Sequence, residues 1–129
     1  MQNRQQGNDC ENLARLWLES KGYDFIAGNY TRRIGEIDLI MRSPNRHTIV
    51  FVEVRYRGNQ LFGGAIASVD AVKQNKLKRT ANAWLQKNAD SLTPARIDVI
   101  ALSPQTHYTP TAQKWHGHEL TWIRNAVEG

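Results

Sequence analysis

The stretch GEIDLIMRSPNRHTIVFVEVRYR, residues 35–57, decides the fold of this chain. Residues 35–42 form a strand-like run, and residues 48–57 are rich in β-branched and aromatic side chains, which favours two strands. The cluster SPNRH at 43–47 separates them and is typical of a turn. These residues therefore predict an antiparallel hairpin, and its second strand is the most strongly apolar segment of the chain.

Apolar periodicity predicts further elements on both sides of this hairpin. Helices are expected over 9–21 and 69–88, because apolar residues recur there at helical spacing. The remaining strands are expected over 23–30, 96–103 and 119–123, with a loop over 104–117. The order α-β-β-β-α-β-β predicts an α/β fold, in which a mixed β-sheet is flanked by helices.

Length and composition restrict the class of protein. A chain of 129 residues predicts a single domain, residues 8–129, after a flexible polar tail of residues 1–7. No apolar run is long enough to span a membrane, and the first residues lack the apolar segment of a secretion signal. The single cysteine, Cys10, excludes an intramolecular disulfide. We therefore expect a cytoplasmic protein.

Charge points to an anionic partner. Seventeen Lys and Arg residues against twelve Asp and Glu residues give a net charge of +5, and eleven of the seventeen are arginine. The planar guanidinium of arginine matches phosphate geometry better than the ammonium of lysine does. Nucleic acid is therefore a candidate partner, although many basic proteins bind none.

Two carboxylates of the hairpin carry the strongest chemical signal. Glu36 and Asp38 share one face of the first strand by alternation, and Glu53 lies within the apolar second strand. A buried carboxylate needs a partner or a cation. If the hairpin brings Asp38 beside Glu53, the two acids either share a proton or hold a metal ion. Hard oxygen ligands favour Mg²⁺.

Ordinary structural roles are available for the same acids. Arg55 follows Glu53 at the next position on the same face, so the two could form a salt-bridge ladder at a sheet edge. Asp38 could likewise pair with Arg32 or Arg33. Glu11 lies three residues after Asn8, which is the spacing of a helix capping box. The residues alone leave both sets of roles open.

An acidic residue on one strand followed by E-x-K on the next resembles the core of the PD-(D/E)XK nucleases. The phrases GEIDLI (35–40) and FVEV (51–54) resemble, more narrowly, the bacterial YraN-like family of endonuclease-like proteins. The similarity covers roughly residues 7–103. It implies a restriction-endonuclease-like core and a metal-dependent endonuclease that hydrolyses phosphodiester bonds of nucleic acid, with DNA as the expected substrate.

The resemblance also implies roles for individual residues. Asp38 and Glu53 would bind Mg²⁺ or Mn²⁺, with the Val54 carbonyl as a further ligand, and Glu11 would complete the catalytic acids. Arg55 stands where the motif has lysine. Arginine stays charged and cannot act as a general base, but as a catalytic residue Arg55 could still stabilise the charge that develops on the phosphate. A non-catalytic nucleic-acid-binding module with the same fold is therefore the alternative function.

Basic residues near these strands are expected to contact nucleic-acid phosphates. They are Arg32, Arg33, Arg57, Lys73 and Lys76. Lys73 is also a candidate substitute for the motif lysine, and the alternative is that its side chain extends past the helix end into solvent. A homodimer would supply two active sites for two strands, but the sequence leaves the oligomeric state open.

Overall fold

Two helices and six strands occur in the part of the chain that the structure, a computed structural model, describes: residues 4–56, 70–90, 92–104 and 113–127, with side chains from residue 8 onward. The helices are α1 (Arg4–Ser20) and α2 (Ala71–Asn88). The strands are β1 (Asp24–Arg32), β2 (Gly35–Arg42), β3 (Ile49–Tyr56), β4 (Ala95–Pro104), β5 (Gln113–Trp115) and β6 (His118–Val127). Neither described helix is long and apolar enough to cross a membrane.

One mixed sheet contains all the described strands, in the order β1-β2-β3-β4-β6-β5. β3 and β4 pair in parallel at its centre, and the other neighbours pair antiparallel. Parallel strands need a crossover connection, and α2 lies between β3 and β4 in the chain. The predicted mixed α/β architecture is therefore confirmed, and the structure adds the three-residue strand β5 to the expected order.

The predicted hairpin is also confirmed, since β2 pairs antiparallel with β3. In its turn the Ser43 N–H donates to the Thr48 carbonyl at 2.9 Å, and Arg46 adopts a left-handed conformation with φ 68°. Every residue of β3 from Ile49 to Glu53 is buried. This burial explains the continuous apolar run, because a central strand is covered on both faces.

The two helices cover opposite faces of the sheet. Ala14 and Leu18 of α1 pack with Val50 and Val52 of β3 in one core cluster. The second cluster joins α2 to the alternate residues of β3, through Leu77, Ala81, Trp84, Ile49 and Phe51. Side chains therefore alternate between an α1 layer and an α2 layer along β3.

The first helix begins earlier than its sequence pattern predicts. Apolar spacing favours a start near Asp9, whereas α1 begins at Arg4. Residues 4–7 of the expected flexible tail are thus helical in their backbone, and residues 1–3 lie outside the described part. Asn8 lies inside the helix rather than at its cap. The capping-box interpretation of Asn8 and Glu11 is therefore wrong.

The C-terminal strands are longer than local propensity suggests. The predicted loop over 104–117 contains β5, and β6 extends to Val127 instead of ending at Ile123. Two long-range contacts with α1 hold β5 in place. The ring centroids of Trp115 and Trp17 lie 5.1 Å apart, and Trp115 Nε1 donates to the Leu13 carbonyl at 2.9 Å. Local sequence carries no information about such a contact.

A buried carboxylate joins β4 to β6. Asp98 is fully buried and accepts hydrogen bonds from Arg96 Nε at 3.0 Å, Trp122 Nε1 at 2.9 Å and the Asn125 N–H at 2.8 Å. The Arg96 guanidinium also donates to the Tyr23 hydroxyl at 2.8 Å. The donors compensate the desolvation of the charge and fix β6 at the point where its register with β4 shifts.

We expect Asp98→Ala to lower the free energy of unfolding by about 3–5 kcal/mol, because it leaves the partly buried Arg96 without its counter-charge and the buried donors around Asp98 without their acceptor. Asp24→Ala is the matched control. Its ion pair with Arg46, at 3.3 Å, is largely exposed, and its loss should cost less than about 1 kcal/mol. Urea denaturation measures both values, and equal losses would contradict the role given to Asp98.

Candidate metal centre

Asp38 lies where β2 and β3 stop pairing. Their ladder ends at the pair Leu39–Val52, and beyond it the Asp38 carboxylate accepts the Val54 N–H through Oδ2 at 2.8 Å. Ile37 packs in the α2 layer and Leu39 in the α1 layer. Regular alternation would put both on one face, so the strand is irregular at Asp38. A carboxylate thus replaces a backbone carbonyl between the two strands.

Three carboxyl groups converge at this point. Asp38 and Glu53 are both buried, and they lie close enough that Glu53 helps to raise the pKa of Asp38. Glu11, half-buried on α1, lies close enough to Asp38 and Asn29 that both act on its pKa. The structure therefore brings together Glu11, Asp38 and Glu53, the three acids singled out from the sequence.

Burial and mutual repulsion act strongly on these acids. Burial, followed by the charge of Glu53, raises the pKa of Asp38 to about 8, and the hydrogen bond from Val54 N–H opposes this change. Burial also raises the pKa of Glu11, with the charges of Glu36 and Glu53 contributing and the nearby side-chain amide of Asn29 opposing. Near neutral pH the cluster therefore favours a bound proton or a cation.

Two basic side chains meet the same oxygen of Glu53. Arg55 Nη2 lies 2.7 Å from Glu53 Oε2, and Lys73 Nζ lies 3.3 Å from it. The expected ion pair between Glu53 and Arg55 therefore exists. It does not form at a sheet edge, because β3 lies between β2 and β4. The alternative partners of Asp38, Arg32 and Arg33, are exposed, and Arg32 Nε donates to the Tyr30 hydroxyl instead.

Lys73 lies in the first turn of α2, next to the Glu53 carboxylate. The Asp70 carboxylate caps the helix by accepting the Lys73 N–H at 2.9 Å. The ammonium is directed to Glu53 rather than past the helix end, so the solvent interpretation of Lys73 is wrong. Glu53, Asp70, Lys73 and Lys76 line a cleft of about 390 Å³. Of the expected nucleic-acid contacts, Lys73 and Lys76 therefore face the cleft, and Arg57 lies outside the described residues.

The sequence patterns did not identify two residues of this region, Asp70 and Asn29. Asp70 precedes the helical pattern of α2, and an aspartate there is a usual helix cap, so this signal was available. Asn29 adopts a left-handed conformation with φ 52°, which asparagine tolerates better than most residues. It lies next to Glu11 of α1, and no local pattern predicts that contact.

The carboxyl cluster has the chemistry of a Mg²⁺ site. Asp38 and Glu53 offer hard oxygen ligands, and a cation would relieve the repulsion that raises the pKa of Asp38. The described residues contain no ready-made group of three His, Cys, Asp or Glu ligands. Mg²⁺ commonly binds through one or two carboxylates and keeps several waters. Asp38 and Glu53 are therefore the two residues that could hold Mg²⁺ or Mn²⁺.

Fold and site together define a mixed α/β domain with a buried carboxyl cluster beside its central strand. The chain belongs to the uncharacterised protein family UPF0102, whose profile matches residues 10–102. It is 47% identical over 125 residues to the UPF0102 protein YraN of Salmonella typhi, covering 95% of this chain and 84% of that protein. The UPF0102 protein YraN of Escherichia coli (strain SMS-3-5 / SECEC) is 46% identical with the same coverage. The YraN-like resemblance is therefore confirmed.

We expect Asp38→Asn to stabilise the metal-free protein increasingly as pH rises from 4 to 8. The folded-state pKa of Asp38, about 8, exceeds its ordinary value of 3.8. The folded state then binds the proton more tightly, so this group's contribution is complete below pH 4 and is lost as pH rises through 8. Asparagine carries no proton to lose and still accepts the Val54 N–H.

The measurement is the free energy of unfolding in EDTA at several pH values. At pH 8 and above the variant should exceed the wild type by an amount on the order of 2–5 kcal/mol. Below pH 4 the difference should have largely disappeared. A difference that stays constant from pH 4 to pH 9 would contradict the environment assigned to Asp38.

Proposed function

We propose that this protein is a metal-dependent nuclease that hydrolyses phosphodiester bonds of DNA with Mg²⁺ or Mn²⁺. The observation that carries the proposal is a pair of buried carboxyls, Asp38 and Glu53. Glu53 also lines a cleft that contains two lysines, Lys73 and Lys76, together with the acids Glu36 and Asp70. Carboxylates alone would repel a phosphate. Lysines alone could bind a phosphate without any buried carboxylate beside them. Their combination suits a cation and an anion bound side by side.

Each residue has a defined part in this proposal. Asp38 and Glu53 hold the metal, and Glu11 adds a third acid from α1. When bound, the metal lowers the pKa of a coordinated water and neutralises charge on the phosphate. Basic residues stabilise the negative charge of the pentavalent transition state. Lys73 and Lys76 lie at the cleft for this purpose, and Arg32, Arg33 and Arg57 are proposed to contact the backbone further away.

DNA as the substrate is supported by charge and composition. The net charge of +5 and the excess of arginine over lysine favour a polyanion with repeating phosphates. Counterion release would supply much of the affinity, without dependence on base sequence. The proposal therefore includes binding that is tighter at low salt and tolerant of sequence.

The second candidate is a nucleic-acid-binding module that does not cleave. The observation that favours it is the ion pair of 2.7 Å between Arg55 and Glu53. This contact occupies an oxygen that a metal ligand would use, and arginine cannot serve as a base. In this alternative the acids fix the two strands and the cleft binds phosphate without turnover.

Metal binding is the first test. Mn²⁺ or Mg²⁺ should raise the melting temperature of the wild type, because the ion binds the folded state only. Asp38→Asn and Glu53→Gln keep the shape of the side chains and should abolish the increase. Asp24→Asn, which removes an exposed acid, should retain it. An equal increase in all four proteins would remove the metal centre from the proposal.

Turnover and DNA binding separate the two candidates. The wild type should cleave duplex, single-stranded or branched DNA in the presence of Mn²⁺, and Asp38→Asn should not. DNA affinity should fall steeply with salt in both proteins, by about 0.9 in log K per log salt for each phosphate contacted. Salt-sensitive binding without cleavage of any substrate would establish the binding module. Binding that is insensitive to salt would exclude both candidates.

A further inference from the structure

Lys73 of α2 lines the cleft beside the carboxyl cluster, whereas Arg55 of β3 does not. The described residues that line it include Glu53, Lys73 and Lys76, but not Arg55. Lys73 and Arg55 both contact Glu53 Oε2. A ligand that enters the cleft would therefore meet Lys73 before it meets Arg55.

The two cations differ in how firmly they are held. The Arg55 side chain is 21% exposed and lies 2.7 Å from Glu53, and its Nε is buried without a hydrogen-bond partner among the described residues. The Lys73 side chain is 41% exposed and lies 3.3 Å from the same carboxylate. The guanidinium is thus committed to Glu53, whereas the ammonium can also reach a ligand.

We propose that Lys73 is the catalytic residue that contacts the reacting phosphate, and that Arg55 is a positioning residue that holds Glu53. This inference rests on the proposed function, because it assigns roles within the same cleft. It gives the chain a phosphate-contacting lysine that comes from α2 rather than from β3.

The backbone of α2 supports this role. Lys73 lies in the first turn, where the Asp70 cap fixes its N–H at 2.9 Å. The first turn of a helix carries partial positive charge, which favours an anion nearby. Lys76 follows one turn later and lines the same cleft. The helix therefore presents two cations to this space, beside the carboxylates of Glu36, Glu53 and the capping Asp70, which also line it.

The reaction leaves Lys73 protonated throughout. The oxygen of a water molecule forms a new P–O bond while the bond between phosphorus and the leaving sugar oxygen breaks. The water loses one proton to solvent, and the leaving oxygen takes up one proton from solvent. Lys73 Nζ donates a hydrogen bond to a non-bridging oxygen, whose charge increases in the transition state.

The first experiment measures DNA binding by fluorescence anisotropy, with a labelled duplex in Ca²⁺. Lys73→Met is compared with Lys87→Met, which removes the same charge from the last turn of α2. Fourteen residues of helix separate these positions by about 21 Å. Lys73→Met should weaken binding about tenfold and reduce the salt slope by about one, whereas Lys87→Met should change affinity less than about twofold. Equal losses in the two variants would overturn the inference.

The second experiment measures turnover over a range of Mn²⁺ concentrations up to saturation, and kcat and KM are compared at saturating Mn²⁺. Lys73→Met should lower kcat by about 10²–10³-fold with a much smaller change in KM, and Lys73→Arg should restore part of it. Arg55→Met should mainly raise the Mn²⁺ concentration needed for half-maximal rate, and Arg55→Lys should reverse this shift. A larger kcat loss in Arg55→Met than in Lys73→Met would overturn the assignment, as would cleavage that appears only in Arg55→Lys.

The outcomes distinguish this inference from the proposed function. A wild type that binds DNA but neither cleaves it nor gains stability from Mn²⁺ would refute the nuclease and, with it, a catalytic role for Lys73. A wild type that cleaves, with Lys73→Met as active as Lys87→Met, would refute only the role of Lys73. Thermal melting of each variant confirms that it is folded before either comparison.

Discussion

The hydrogen bond between the Asp38 carboxylate and the Val54 N–H is the interaction on which the site depends. At this point β2 no longer supplies a backbone partner to β3, and a buried N–H without an acceptor would cost about 1–3 kcal/mol. The carboxylate satisfies that N–H and lies between the strands. Asp38 can therefore interact with Glu11 of α1 and with Glu53 of β3.

The carboxyl cluster is costly to bury. Burying Asp38 beside Glu53 opposes ionisation, and Arg55 and Lys73 offset the charge of Glu53 without contributing to the core. A hydrophobic pair would pack here with less desolvation. The buried network around Asp98 contrasts with this arrangement, because its carboxylate is surrounded by donors. Asp98 thus joins β4 to β6 through neutralising donors, whereas Asp38 keeps a raised pKa beside Glu53.

Sequence reasoning reached the fold and the central acids for the same physical reason. The short turn of an antiparallel hairpin, which pairs Leu39 with Val52, is enough to bring Asp38 level with Glu53, so their convergence was predictable. Glu11 needed the family resemblance, because its own spacing also allowed a helix cap. The contact of Lys73 with Glu53 depends on where the crossover helix begins, and β5 depends on Trp115 reaching α1. Both are tertiary constraints that no local pattern encodes.

The cysteine next to Glu11 has a practical consequence. Cys10 is the one thiol of the chain; it is buried, and burial together with Asp9 and Glu11 raises its pKa to about 11. A maleimide or disulfide reagent reacts with exposed thiolate. Labelling of native protein therefore requires an opening that exposes the region of α1 around Cys10, and Glu11 is the next residue along that helix.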